Sequence, residues 1–155
     1  MKTLQIKQLS PNATLPTRTH TTDAGLDIYV AEDTIVTTGT KVPTGIAVNI
    51  PEGYEGTIRP RSGKTSKTNL RVQIGTIDSG YTGELSVICD YTDNIELDNE
   101  NGEINKLAYK VEAGEKIAQL VISPIVTPQL EIVDQFDTQS ERGEKGFGSS
   151  DEVHR

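Results

Sequence analysis

Apolar and polar residues alternate along this chain in short bursts rather than in long helical stripes. Leu4 and Ile6 are interleaved with Gln5 and Lys7; Ile46, Val48 and Ile50 share one face of Gly45–Ile50; Leu85, Val87 and Cys89 share one face of Glu84–Tyr91. A period of two is the signature of a half-buried strand. Further strands are predicted over Thr34–Val36, in the second half of Asp23–Val30 with Asp27 at the junction of loop and strand, through Gly114–Ile122, and finally over Leu130–Phe136. Turn signals at Thr38-Gly39, Pro43 and Pro51-Glu52-Gly53 separate them. Short strands at intervals of roughly 8 to 12 residues with Gly and Pro between them predict an all-β fold, a sandwich, jelly roll or barrel. The one helix expected is short, Ser62 through Lys67, with its N-terminus facing an anion.

Between these strands lie segments that carry chemistry. Gly75-Thr76-Ile77-Asp78-Ser79-Gly80-Tyr81-Thr82-Gly83 combines three glycines, one carboxylate and one ring. It reads as a sharp hairpin whose glycines take positive φ or let a ligand approach the backbone, with Asp78 able to act as a general base on a water. An ordinary hairpin with an Asp-initiated turn explains the same residues. Pro60-Arg61-Ser62-Gly63-Lys64-Thr65 ends like a nucleotide P-loop, but Ile58 stands where that motif needs glycine and the all-β pattern denies its βαβ setting. What remains is a guanidinium, a hydroxyl and an approachable amide, a group that suits phosphate. Gln119, an amide inside an apolar strand, needs a partner, whether structural or a ligand. The segment 93–106 is rich in Asn, Asp and Glu and reads as an exposed excursion; the tail 140–150 sets two cations, hydroxyls and Phe147 among glycines.

Composition narrows the options. One hundred and fifty-five residues fit a single domain with its own core. A formal charge of −8 excludes non-specific duplex binding, because neutralising phosphates requires a basic surface. The single cysteine, Cys89, leaves no internal disulfide, suits a reducing cytoplasm and reads as a buried strand thiol. His20 and His154 lack neighbours at metal-ligand spacing and read as solvated. No signal-length apolar run opens the chain, and no eighteen apolar residues occur together, so export and membrane insertion are not expected.

Five segments, taken in order, resemble the five motifs of the homotrimeric dUTP pyrophosphatases (dUTPases): Ala24-Gly25-Leu26-Asp27, Pro60-Arg61-Ser62-Gly63, Gly75–Tyr81, Gly114-Glu115-Lys116-Ile117-Ala118-Gln119, and 142–150. The resemblance implies a distorted jelly-roll β fold over 1–140, a flexible tail over 141–155 that closes the site, and sites shared between the subunits of a trimer. It implies hydrolysis of dUTP to dUMP and pyrophosphate in the cytoplasm of a bacterium or phage-infected cell, limiting dUTP and supplying dUMP for thymidylate synthesis. On this resemblance Asp78 activates water for attack on the α-phosphorus, with Asp27 helping to position Asp78 and the water. Tyr81 packs under the deoxyribose and excludes UTP, and the backbone from Gly75 through Ile77 to Tyr81 reads the uracil edge. Arg61, Ser62, Gly63, Lys64 and Gln119 match phosphate-side positions. Arg142, Gly148, Ser149 and Ser150 match a γ-phosphate clamp, with Phe147 stacked over uracil. Mg²⁺ is implied on phosphate oxygens and water, without dedicated protein ligands.

Three features qualify the match. Val72 stands where some members carry asparagine, so uracil recognition rests on backbone groups. Asp151 follows Ser150 where glycine is common. The 93–106 excursion resembles an extra segment of certain phage enzymes and could hold a regulatory protein. A dCTP deaminase, which shares this fold, and a non-enzymatic regulatory module are the competing readings.

Overall fold

A computed structural model describes residues 3–92, 108–138, 140 and 143. The described residues form ten strands and one helix: β1 Gln5–Gln8, β2 Gly25–Tyr29, β3 Thr34–Val36, β4 Thr40–Asn49, β5 Tyr54–Pro60, α1 Ser62–Lys67, β6 Leu70–Val72, β7 Gly75–Ile77, β8 Glu84–Tyr91, β9 Tyr109–Val111 and β10 Lys116–Pro124. They form two four-stranded antiparallel sheets, ordered β1-β4-β8-β6 and β2-β10-β5-β7, and a β3-β9 ribbon. The all-β class and the single short helix agree with the alternation in the sequence.

The core lies between the sheets. Ile28, Val30, Val42, Ile46, Ile50, Leu70, Leu85, Val87, Ile117 and Leu120 are each 1 % exposed or less. Each such side chain stabilises the fold by roughly 1.5–3 kcal/mol relative to exposure, so apolar burial carries the frame on which the polar residues sit. Cys89 is fully buried on β8, as its strand position predicts. That burial, the larger cause, and the neighbouring Asp90 charge push its thiol up to about 12.

Four expectations from the sequence need correction. Pro43 does not end a strand: β4 runs through it, with a break in register against β8 between Pro43 and Ala47. A bulge accommodates the residue that cannot donate to the ladder. Asp27 lies within β2, opposite Gln119, not at its start. Gly75–Gly83 is not a hairpin. β7 pairs with β5 and β8 pairs with β4 and β6, so residues 78–83 cross from one sheet to the other. Lastly, Leu130–Phe136 forms no strand; Val126, Leu130, Ile132 and Phe136 are 87 % exposed or more. The apolar alternation there has no partner strand among the described residues.

Among the described residues no helix is long and apolar enough to cross a membrane. The 93–106 excursion and tail residues 141–142 and 144–155 lie outside the described residues, and so do Arg142, Phe147, Gly148, Ser149, Ser150, Asp151 and His154.

Candidate functional site

The central antiparallel pairing of β10 with β2 and β5 gathers three of the sequence motifs on one rim. Register sets Gln119 opposite Asp27 on one side and opposite Arg59 on the other. β5 then ends at Pro60, and Arg61 begins the turn into α1. The cleft formed here has a volume of about 370 Å³ and is lined by Thr19, Asp23, Ala24, Gly25, Asp27, Arg61, Ser62, Gly63 and Gln119.

Its polar groups hold one another in place. Asp27 Oδ1 accepts from Arg61 Nε at 2.9 Å and Oδ2 accepts from Lys116 Nζ at 2.7 Å. The Asp27 side chain is only 14 % exposed, so both charge-assisted contacts are partly shielded from solvent. The hydrogen bond to Asp27 raises the Lys116 ammonium above its ordinary range, and its Nζ also sits 5.8 Å from the Tyr29 ring centre. Because Asp27 engages the Nε of Arg61, the two terminal guanidinium nitrogens keep their forked geometry for an anion. Gln119 Nε2 donates to the Pro60 carbonyl at 2.9 Å and its oxygen lies across Gly25, where an added Cβ would be 2.2 Å from Oε1. A side chain at 25 would force the Gln119 amide to move. At the start of α1, Ser62 and Gly63 have no helical carbonyl four residues back to which their amides could donate.

Asp78 and Tyr81 stand elsewhere. They line a second cleft of about 300 Å³ with Lys41, Thr76, Ile77, Glu84, Leu85, Ser86 and Ile88. None of the residues of the first cleft lines it. Asp78 is exposed and its carbonyl accepts from the Tyr81 amide at 3.0 Å, a tight turn. Tyr81, 46 % exposed, donates its hydroxyl to the Glu84 carbonyl at 2.9 Å. Of the two uses expected of these glycines, positive φ is found at none of Gly75, Gly80 and Gly83; Gly83 is needed for closeness, since a Cβ there would sit 2.6 Å from the Tyr81 hydroxyl oxygen. Gly75 and Ile77 lie on β7, an edge of its sheet, so one side of that strand has no partner strand among the described residues.

The sequence names Asp27, Arg61, Ser62, Gly63 and Gln119 of the first cleft and Ile77, Asp78 and Tyr81 of the second, but not their division between two clefts. Asp27 contacts Arg61 and Lys116, not Asp78. Lys64 lines neither cleft; its ammonium donates to Glu115 and to Tyr109. Lys116, Glu115, Thr19 and Asp23 were given no roles. The strand register that sets Lys116 near Asp27 is a long-range pairing that local pattern does not carry. Among the described residues no group of three His, Cys, Asp or Glu could hold a metal.

The dUTPase family model matches residues 11–151. A Deoxyuridine 5'-triphosphate nucleotidohydrolase of Clostridium tetani is 43 % identical over 152 residues, covering 96 % of either chain. Among solved structures, that of Staphylococcus bacteriophage 80alpha dUTPase with dUPNHPP superposes with a TM-score of 0.85 at 43 % identity, covering 96 % of this chain and 98 % of that one. Phage dUTPases are described there as controlling transfer of virulence genes by a proto-oncogenic G protein-like mechanism. A mutant dUTPase from phage phi11 of S. aureus, described as coordinating a structural Mg(II) ion, superposes with a TM-score of 0.77 at 39 % identity, covering 88 % of this chain and all of that one.

Proposed function

The chain belongs to the dUTPase family, and from that premise we propose how its two clefts divide the hydrolysis of dUTP to dUMP and pyrophosphate. The observation that carries the reading is the separation itself. The first cleft brings Arg61, Ser62, Gly63 and Gln119 together beside an Asp27 already paired with two cations; the second holds the exposed Asp78 and the Tyr81 ring, with Lys41 as its lining cation. Neither suffices for a nucleoside triphosphate, so the working site joins the first cleft of one subunit to the second cleft of another.

In that site the triphosphate lies against Arg61, the Ser62 hydroxyl, the Gly63 amide and Gln119. Arg61 is held in orientation by Asp27, which makes Asp27 a positioning residue for the guanidinium. The uracil edge meets the backbone of β7 between Gly75 and Ile77, where a base with donors and acceptors exchanged would leave buried groups unpaired. The ring of Tyr81 lies under the deoxyribose and leaves no room for a 2′-hydroxyl. Asp78 takes a proton from a water as its oxygen bonds to the α-phosphorus, and the bond to the bridging oxygen of the pyrophosphate breaks in line. Arg142, Phe147, Gly148, Ser149 and Ser150 complete the enclosure from the tail, 141–155, which excludes other water.

Mg²⁺ fits this donor set only as a passenger of the substrate. Both Asp27 oxygens are engaged by cations, and Asp23 Oδ2 accepts from the His20 amide at 2.8 Å, so at most one carboxylate oxygen of the cleft is left for an ion. Bound to phosphate oxygens and water, the ion would offset part of the substrate's charge of about four.

A trimer supplies the second subunit, and the exposed apolar run from Ile125 to Phe136 supports association, because such a surface calls for a partner. The family resemblance of 93–106 to a phage segment, together with the regulatory description of phage dUTPases, favours a second role for that excursion in holding a regulatory protein. Release of pyrophosphate from dUTP, UTP and dCTP, with and without chelator, tests the main reading. Turnover of dUTP alone, abolished by chelation, is expected; ammonia from dCTP would point to a deaminase instead.

A further inference from the structure

Strand β10 and the residue that leads into it fasten the turn between β5 and α1 at three points. Gln119 holds the Pro60 carbonyl, Lys116 grips the Asp27 that holds Arg61, and Glu115 takes the ammonium of Lys64. The first two belong to the cleft already described. The third lies outside it and has no part in the chemistry above.

Its geometry is that of an anchor. Lys64 Nζ donates to Glu115 Oε1 and to the Tyr109 hydroxyl at 3.3 Å, and it sits 5.3 Å from the Tyr109 ring centre. The Lys64 side chain is 16 % exposed and that of Glu115 is 30 %. Glu115 is itself fixed: Oε2 accepts from the Glu112 amide at 3.2 Å, its own amide donates to the Glu112 carbonyl at 3.0 Å, and its carbonyl accepts from the Val30 amide at 2.9 Å. By contrast α1 has little of its own to hold it. It is six residues long, buries none of them and has no side-chain cap at its N-terminus. A helix this short gains its order from tertiary contacts rather than from propensity. Arg71 secures its C-terminal end by donating to the carbonyls of Thr65 at 3.4 Å and Thr68 at 2.8 Å. Lys64, whose amide donates to the Arg61 carbonyl at 3.1 Å, secures the end that carries Ser62 and Gly63.

We propose that the Lys64–Glu115 pair, backed by Tyr109, is a latch that positions the Ser62–Gly63 turn for the triphosphate, Lys64 being a positioning residue and not a phosphate ligand. The proposal rests on the assignment of the Arg61 cleft to phosphate. A pair this poorly exposed is screened less than a surface one, so either partner alone leaves an uncompensated charge beside the turn. Exchange of the two charges keeps the attraction while reversing the charge at position 64.

The test compares Lys64→Met, Glu115→Gln and the double exchange Lys64→Glu/Glu115→Lys in the full chain, reading kcat and KM for dUTP and the thermal midpoint. Each single variant is expected to raise KM about tenfold with kcat changed less than about threefold, and the exchange to return KM to within about threefold of wild type. Unchanged KM in the single variants would overturn the latch. So would a high KM in both variants lacking Lys64 with a silent Glu115→Gln, because Lys64 would then touch phosphate itself. Collapse of the thermal midpoint in both single variants, restored by the exchange, would assign the pair to stability and also overturn it. Wild-type turnover of dUTP, measured alongside, separates failure of the latch from failure of the substrate assignment.

Discussion

The Arg61 cleft and the Asp78 turn are built on opposite plans. Around Arg61 the charged groups are partnered from the same chain: Asp27 bridges Arg61 and Lys116, and Gln119 ties down Pro60. Around Asp78 the carboxylate is exposed, and the local contacts are the Tyr81 amide to the Asp78 carbonyl and the Tyr81 hydroxyl to Glu84. The difference matches the tasks proposed for the two regions. A phosphate seat gains from preorganisation, since its donors need not rearrange when charge arrives. A base must keep its oxygens available for water, and a strong internal ion pair would lower its basicity.

The sharpest way to break this contrast is at the base. Asp78→Asn should lower turnover about 10³-fold while leaving dUTP affinity nearly intact, as judged by pyrophosphate release and equilibrium binding. Little loss of rate would remove Asp78 from the chemistry. The same variant co-refolded with Arg61→Ala should regain activity that neither has alone. For random mixing, roughly one half times one half, or about a quarter, of the sites would draw both intact residues from different subunits. No recovery would mean that each cleft works with its own chain's partner.

Next in size is the tail. Truncation after Glu141 should cost about 100-fold in kcat/KM with the thermal midpoint unmoved, because closure positions substrate rather than supporting the core. Gly83→Ala is a smaller probe aimed at the looser region. The added methyl, 2.6 Å from the Tyr81 hydroxyl oxygen, displaces the ring, and the preference for dUTP over UTP should fall about tenfold. The smallest effect concerns the frame shared by both regions. Cys89 is raised to about 12 in the folded protein, whereas an unfolded thiol ionises near about 8.5. The folded state therefore retains a proton that the unfolded chain loses. This contribution is intact below about pH 8.5 and declines as pH rises toward 12. At about pH 9.5 urea unfolding should show a loss of roughly 1 kcal/mol relative to neutral pH, and Cys89→Ala should abolish that part.

Much of this was legible in the sequence where the signal was local. Alternation located β8, a short apolar run between turn signals located β3, the polar turn after Pro60 gave the helix Ser62–Lys67, and residue types named Arg61, Gln119, Asp78 and Tyr81 as chemical groups. What escaped was pairing at a distance. The glycines of 75–83 look like a hairpin, yet β7 joins β5 because the two sheets divide this stretch between them. Lys116 became the partner of Asp27 through strand register, 89 positions away in sequence. Leu130–Phe136 has the alternation of a strand but no neighbour among the described residues to complete it, and period alone says nothing about where a neighbour comes from.

That last segment constrains the protein's history. Val126, Leu130, Ile132 and Phe136 present four large oily side chains to the surroundings of an isolated chain. Making that surface polar would require replacing them one after another, and no single replacement would remove the stickiness left by the other three. In the proposed trimer such a ribbon would act as a ratchet, making association hard to lose by single substitutions.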